Sequence, residues 1–491
     1  METHFSRLVA DIKMSWDNMG SVYRGIGTPF ANSVRDSKRG EVRARLRAPV
    51  MKTWKKLAYS FGSLGAAVPY QAVQTYIIFF YADVMKLPIE LVGYTMILYG
   101  IWNAINDPLF GYLSDRTRTK WGRRIPYIAG GLIPLVLVFI FLWIPPFGIT
   151  DGNYIPLFMY FTIMMFLFDG LFTLVILNWT ALFPEMYTSL EDRSIVSMWR
   201  QLFGNVGLII GIALAPMIYG KLGWQTMAII FGIITGISLG ISLLGSKEAD
   251  PSEYEEPLDM LPALKYTLQN KSFMTYVIPY MLIQFTFVMI MAMVPFQAKY
   301  VLHIAEEQST IILGAAFLAV FVALFPWTRY TIKAGPKQTA SRAIAFFAIA
   351  LIPFGLARDF RTGIIGGALV GAGLAGILLL FDTLLIADVI DEDQLRTGRR
   401  REGMYFGANA LFIRLAISVQ ALVMSQVLKA SGYDPNLPVQ PASIVAGIRS
   451  LMTVVPIIGL IAAFLVFRMY PLDGNRLAEI RKEIESATKT V

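Results

Sequence analysis

The chain has 491 residues, 55% of them hydrophobic and only 16% charged, with a mean hydropathy of +0.55. So few charges cannot solvate a water-soluble protein of this length, and the lack of cysteine excludes disulfides and thiolate chemistry. The net charge of +9 reads as membrane-topogenic Lys and Arg rather than as nucleic-acid binding, and two lone histidines, His4 and His303, make neither a proton relay nor a metal site.

In chain order, residues 1–56 come first, polar and basic with Arg35, Lys38, Arg39, Arg43, Arg45 and Arg47. They contain no long apolar run and do not resemble a cleaved signal. They read either as a cytoplasmic extension touching anionic headgroups or as a disordered tail. Apolar stretches of about 18 residues or more then predict spanning helices. These fall near 58–82, 91–113, 125–144, 155–182, 195–219, 224–245, 273–297, 309–332, 340–357, 362–388, 404–428 and 443–468. They lack the two-residue alternation of barrel strands, so helices must satisfy the backbone in lipid. The 40 glycines fit close helix approach.

The connections are short except for an acidic, Pro-containing segment at 246–272. It divides the chain into a six-helix bundle at 57–245 and another at 273–470, followed by a cytoplasmic tail at 471–491. Basic residues cluster after the second span (Arg116, Arg118, Lys120, Arg123, Arg124), the eighth (Arg329, Lys333, Lys337) and the tenth (Arg396, Arg399, Arg400, Arg401). Alternate loops such as 145–154 and 430–442 have almost none, which places both termini and the central loop in the cytoplasm. DRTRTKWGRR after span 2 is echoed by TRYTIKAGPK after span 8. The expected fold is an all-α membrane protein of the major facilitator type, with about twelve transmembrane helices in two six-helix bundles.

Polar residues inside spans mark function, because they are expensive there. Span 2 carries Asn103, Asn106 and Asp107, with residues 103 and 107 one turn apart on one face. Pro108 removes a backbone donor and can free a carbonyl. A carboxylate beside amide oxygens suits Na⁺; the same carboxylate, desolvated, can carry a proton. Asp115, Arg116, Arg123 and Arg124 around Gly122 can form ion pairs that gate one conformation. Asp388, Asp391, Glu392 and Glu402 beside Arg396 and Arg399–Arg401 offer the same in the second half. Topogenic charge is the competing reading of both sets. Phe79, Phe80 and Tyr81 read as lipid-facing or interfacial.

WNAINDPLFGYLSDRTRTKWGRRIPYI resembles the span 2 signature of the glycoside–pentoside–hexuronide:cation symporters. YADVMKLPIELVG, NWTALFPEMYTSLEDR and ADVIDEDQLRTGRRREGMYFGANALFIR extend the resemblance across residues 57–470. The resemblance implies a cation site at Asp107, Asn106 and Thr173, with Asn103 where the family has a second Asp; Asp169, one turn from Thr173, is a candidate replacement. It places Arg414 where the family has a Lys near the cation, free to balance Asp107 or Asp169 or to bind an anionic substrate. The two carboxylates of the family's sugar site fall at Ala67 and Ile176 here, so a galactoside site is not reproduced. Tyr70, Gln71, Gln74, Asn178, Trp179, Arg200, Asp382 and Asn409 are the remaining substrate-binding candidates.

The sequence thus implies a secondary transporter rather than an enzyme. It is expected to couple Na⁺ or H⁺, with no other cofactor, to symport of a sugar, glycoside or related solute. Transport of an amphipathic lipid and drug export are the alternatives. The expected setting is a bacterial inner membrane, with the lipid bilayer and a small-molecule substrate as partners, no nucleic acid, and a monomeric state.

Overall fold

The computed structural model describes residues 52–146, 148–149, 152–187, 189–248, 267–397, 402–437, 439–474, 476–477 and 479–480. Most of the N-terminal extension, most of the central loop, the end of the tail and Arg399–Arg401 lie outside the described residues.

The first half has six spans. α1 is Thr53–Phe79, prolonged by a π-turn at Phe80–Val84. α2 is Ile89–Arg116, α3 Ile125–Leu142 and α4 Ile155–Met186. α5 runs through Leu190–Ile209, a π-turn at Ile210–Leu214, and Ala215–Leu222; α6 is Trp224–Gly245. In the second half, α7 is Lys271–Gln297 with a π-turn at Ala298–Leu302, α8 Glu306–Ala334 and α9 Pro336–Gly355. α10 joins Phe360–Leu379, a π-turn at Leu380–Leu384, and Leu385–Thr397; α11 is Glu402–Ala430. α12 is Ala442–Met452 and Val454–Phe467, broken at Thr453.

Among the described residues, ten helices are long and apolar enough to cross a membrane by length and composition. The other two, α1 and α2, are equally long but more polar, and they contain much of the chemistry described below. Side-chain caps set several starts. Ser189 accepts from Asp192 N–H at 3.1 Å before α5, and Asn270 Oδ1 accepts from Ser272 and Phe273 N–H before α7.

The two halves repeat one device. α1 and α7 each end in a π-turn followed by a non-glycine residue with positive φ, Lys86 at 62° and His303 at 50°. These turns lie at the C-terminal ends of α1 and α7, on a face called here the far face. The sequence expectation for Phe79, Phe80 and Tyr81 fails at this level: all three are buried. Phe80 packs 5.2 Å from the rings of Trp143 and Trp224, Tyr81 stacks 3.8 Å from Phe161, and Phe79 meets Phe296 of the other half edge-on at 5.0 Å. A protein core and lipid tails are equally apolar, so composition does not separate the two environments.

α2 and α11 run side by side across the halves. Glu90 and Lys429 pair at 3.1 Å at the far face; Gly93 then lies against Ser425 and Gly100 against Ser418. A Cβ on either glycine would overlap the serine side chain, so only glycine lets the two backbones come this close.

Candidate functional site

Seven residues further along the same seam is Asp107, paired with the Arg414 guanidinium of α11. Arg414 also donates from its other terminal nitrogen to the Asn103 carbonyl at 3.1 Å. Asp107 Oδ1 accepts from Thr173 Oγ1 of α4 at 3.1 Å. One turn earlier on α4, Asp169 is only 3% exposed and accepts from Asn103 Nδ2 at 2.6 Å and from Asn106 Nδ2. Gln74 and Asn103 both donate to the Tyr99 hydroxyl, at 3.2 and 3.4 Å.

The five cation candidates, Asn103, Asn106, Asp107, Asp169 and Thr173, are therefore brought together, and the surroundings of the two acids differ. Asp107 already faces a fixed cation. Asp169 is met by neutral amides, and the amide oxygens of both Asn103 and Asn106 are buried without a hydrogen-bond partner. Asp169 is thus held by two amide donors whose own oxygens are left without a hydrogen bond. Among the described residues no group of three or more His, Cys, Asp or Glu is placed to hold a metal ion, so any cation here depends on amide and hydroxyl oxygens as well.

The substrate candidates divide. Tyr70, Trp179 and Arg200 line a cavity of about 470 Å³ between α1, α4 and α5, together with Ala67, Phe172 and Gln201. The Arg200 guanidinium lies 4.6 Å over Trp179, 5.0 Å over Phe183 and 5.9 Å over Tyr59. Its Nε has no hydrogen-bond partner, and no carboxylate lines the cavity. Trp179 is fixed in turn: its indole N–H donates to Ser242 Oγ at 2.7 Å, and its ring stacks on Tyr59. Gln71 packs beside Gly211, and Asn178 turns back to the Leu174 carbonyl at 2.8 Å. Neither belongs to the cavity lining, nor do Asp382 and Asn409. Asp382 accepts from the Tyr280 hydroxyl, which itself accepts from Gln284 at 2.7 Å; Asn409 Oδ1 is buried without a partner.

Arg123 and Arg124 reach Glu185 at 2.7 and 2.9 Å, and Glu248 accepts from the backbone N–H groups of Arg123, Arg124 and Ile125. These described partners all belong to the first half, so they staple α3, α4 and the end of α6. Arg116 closes α2, and the side chain of Asp115 lies outside the described ones, as does that of Glu402.

Sequence reasoning missed a second junction between the halves. Asp83, buried in the π-turn of α1, accepts from Tyr433 at 3.0 Å, from Tyr300, and from Lys299 of α7. Burial, reinforced by Asp83, raises the Tyr433 pKa far above its usual value, so the phenol stays a proton donor. The signal was an acid at the end of a span.

Two six-helix halves, polar residues converging within the spans and a cavity beside them have the architecture of the major facilitator fold, that of secondary transporters. The family described as MFS/sugar transport protein matches residues 58–474, and the chain belongs to that family. The Escherichia coli putative glycoside/cation symporter YagG is 24% identical, covering 87% of this chain and 94% of its own. A zebrafish (Danio rerio) sodium-dependent lysophosphatidylcholine symporter 1-A is 20% identical over 92% of each. Among solved structures, a bacterial homolog of the human lysosomal transporter Spinster, inward-facing and unoccupied, superposes with a TM-score of 0.63 at 13% identity, covering 85% of this chain and 98% of that one. The relatives are membrane transporters, not enzymes.

Proposed function

We propose that the protein is a cation-coupled symporter that takes up a small organic solute, of sugar or glycoside type and carrying an acceptor-rich or anionic group, by alternating access. The observation that carries this reading is Asp169: a buried carboxylate within a span, in no ion pair, held by two amides whose oxygens have no hydrogen-bond partner. A transported cation would complete it. Several oxygens around one carboxylate favour Na⁺ over H⁺, because a proton needs only one. Asp107 is then the switching partner of Arg414 rather than the main ligand, which moves the Na⁺ expected at Asp107 one helix across.

The solute would enter the cavity at Trp179 and Arg200. Its volume suits a small polar ligand. Indole and phenol faces would cover the apolar face of a sugar ring, while Arg200 and Gln201 hydrogen-bond its edge. Arg200 would occupy the polar role that carboxylates at positions 67 and 176 would otherwise have, which directs selection toward acids such as uronates. With basic loops on the cytoplasmic side, the far face, where Asp83 joins the two halves, would be extracellular or periplasmic. A gating role for Asp115, Arg116, Arg123 and Arg124 would require contacts to the second half; the described partners of Arg123 and Arg124, Glu185 and Glu248, would instead keep the first half rigid through the cycle.

The test is uptake into proteoliposomes of radiolabelled neutral glycosides, uronates and lysophospholipids, under a Na⁺ gradient or a pH gradient. Uptake of a sugar or sugar acid driven by either gradient supports the symporter reading, and the effective gradient names the ion. Uptake of lysophospholipid alone favours the amphipathic-lipid reading, for which the aromatic walls and Arg200 offer a headgroup site. Gradient-independent exchange of every solute rejects cation coupling.

A further inference from the structure

A second cavity, of about 610 Å³, lies on the face opposite the far face and shares no lining residue with the first. It is walled by the α8–α9 turn, by α9 and by the end of α12, with Lys337, Arg342 and Arg468 in its lining and Asp473 as the acid among them. None of the three cations is in an ion pair among the described residues. Arg342 is instead stacked on Tyr330 at 4.8 Å, which leaves its N–H edge available. The turn itself presents donors. Gly335 has φ 83°, a left-handed value that reverses the chain tightly, and Pro336 opens α9. Pro336 has no N–H, and the first-turn N–H groups at Lys337 and Gln338 have no intrahelical acceptor. Three cations, two free amides and a helix N-terminus converge on one hollow.

The surroundings decide between a soluble anion and a lipid. Phe464 and Ala345 line the same cavity. Ile332 just above it is 80% exposed and Leu465 beside it 56% exposed, as expected for side chains facing acyl tails. An anion held here has hydrocarbon on its membrane side and water on the other.

We propose that this hollow between α9 and α12 binds the phosphate of an anionic phospholipid, with Lys337, Arg342 and Arg468 as its contacts. General attraction of basic loops to an anionic leaflet would spread over the whole face; a built site concentrates it in one stoichiometric lipid.

The experiment is native mass spectrometry of the detergent-purified full chain with phosphatidylglycerol, phosphatidylcholine or inorganic phosphate. Phosphatidylglycerol is expected to leave one retained adduct, phosphatidylcholine far less, and millimolar phosphate none. The double variant K337Q/R468Q should lower the phosphatidylglycerol adduct by roughly thirtyfold, about one and a half decimal orders for two lost charges near the surface. Because both residues are at the surface, its thermal midpoint without lipid should match the parent, and R329Q, on the same face outside the lining, should retain the adduct. Equal adducts in parent and double variant overturn the proposal, as does equal retention of the two lipids. Phosphate that binds alone and displaces the lipid points to a soluble anion and overturns the lipid assignment.

Discussion

The two junctions between the halves use the same ingredients, an acid from the first half and a cation from the second, with opposite settings. At the far face, Asp83 is buried in a π-turn, and two phenols join Lys299 in closing over it. At mid-membrane, the Asp107 and Arg414 side chains keep about a quarter of their surface open, 25% and 27%, and a buried carboxylate with spare oxygens sits one helix away. In the proposed cycle the first arrangement would hold and the second trade partners. An acid satisfied from every side resists release, whereas a half-open pair beside a second acid is suited to exchange.

Breaking the exchanging junction should have the largest functional effect. Asp169→Asn removes the carboxylate without removing bulk, and gradient-driven uptake in proteoliposomes should fall to the level of protein-free vesicles, while solute binding by isothermal titration persists in part. Loss of both together would assign Asp169 to folding.

The holding junction should dominate conformation and stability. Asp83→Asn leaves Lys299 without its acid and weakens both phenol bonds. Breaking such a pair costs about 2–4 kcal/mol, reduced from the fully buried case because Lys299 is partly exposed. Since the chain has no cysteine, a single introduced thiol is a clean probe. Ala298→Cys, buried in the π-turn of α7, should be labelled several-fold faster by an impermeant maleimide in the Asp83→Asn background. Unchanged labelling would show that the aromatic packing of Phe79 and Phe296 seals this face by itself.

The mid-membrane pair should contribute less to stability, with a coupling of about 1–2 kcal/mol after allowance for its exposure. A double-mutant cycle of Asp107→Asn and Arg414→Gln, read by thermal unfolding in detergent, measures it. The double variant should be more stable than Arg414→Gln, where Asp107 loses its cation.

The smallest effect concerns neither junction and calibrates both. Asp359 caps α10, accepting from Thr362 N–H at 2.9 Å, and hydrogen bonds from the Thr362 backbone and side chain lower its pKa. A carboxylate with a depressed folded pKa stabilises the fold above its unfolded pKa, and that contribution fades as pH falls through the folded value. Asp359→Ala should therefore lower the midpoint slightly at neutral pH and converge with the parent only as the pH falls below the ordinary carboxylate pKa and through the lowered folded value.

The α2–α4–α11 cluster was legible because charges and amides inside an apolar run are conspicuous, and Asn103, Asn106, Asp107, Asp169, Thr173 and Arg414 all fell within spans. The division of labour between Asp107 and Asp169 was not legible, since it depends on which acid Arg414 reaches across 307 residues of chain. Asp83 escaped notice for the same reason: Lys299 and Tyr433 come from 216 and 350 residues away, and an acid at a span end reads as interfacial. Gln71 and Asn178 had suitable spacing but not suitable rotation, because a few tens of degrees about a helix axis turn a cavity residue into a packing one. The span boundaries mostly held to within a few residues, with helices extending past the apolar cores where polar ends such as Leu385–Thr397 continue the turn.

The glycine–serine seam has a mechanical meaning beyond close approach. Along Gly93/Ser425 and Gly100/Ser418, neither surface carries a ridge that must climb out of a groove when one helix shifts against the other. Such a line behaves as a low-friction bearing: displacement along it loses little contact, and resistance is concentrated at its two charged ends, Glu90/Lys429 and Asp107/Arg414. Along this seam, resistance to movement would then rest on the two end pairs, added to that of the Asp83 junction, rather than on the length of helix between them.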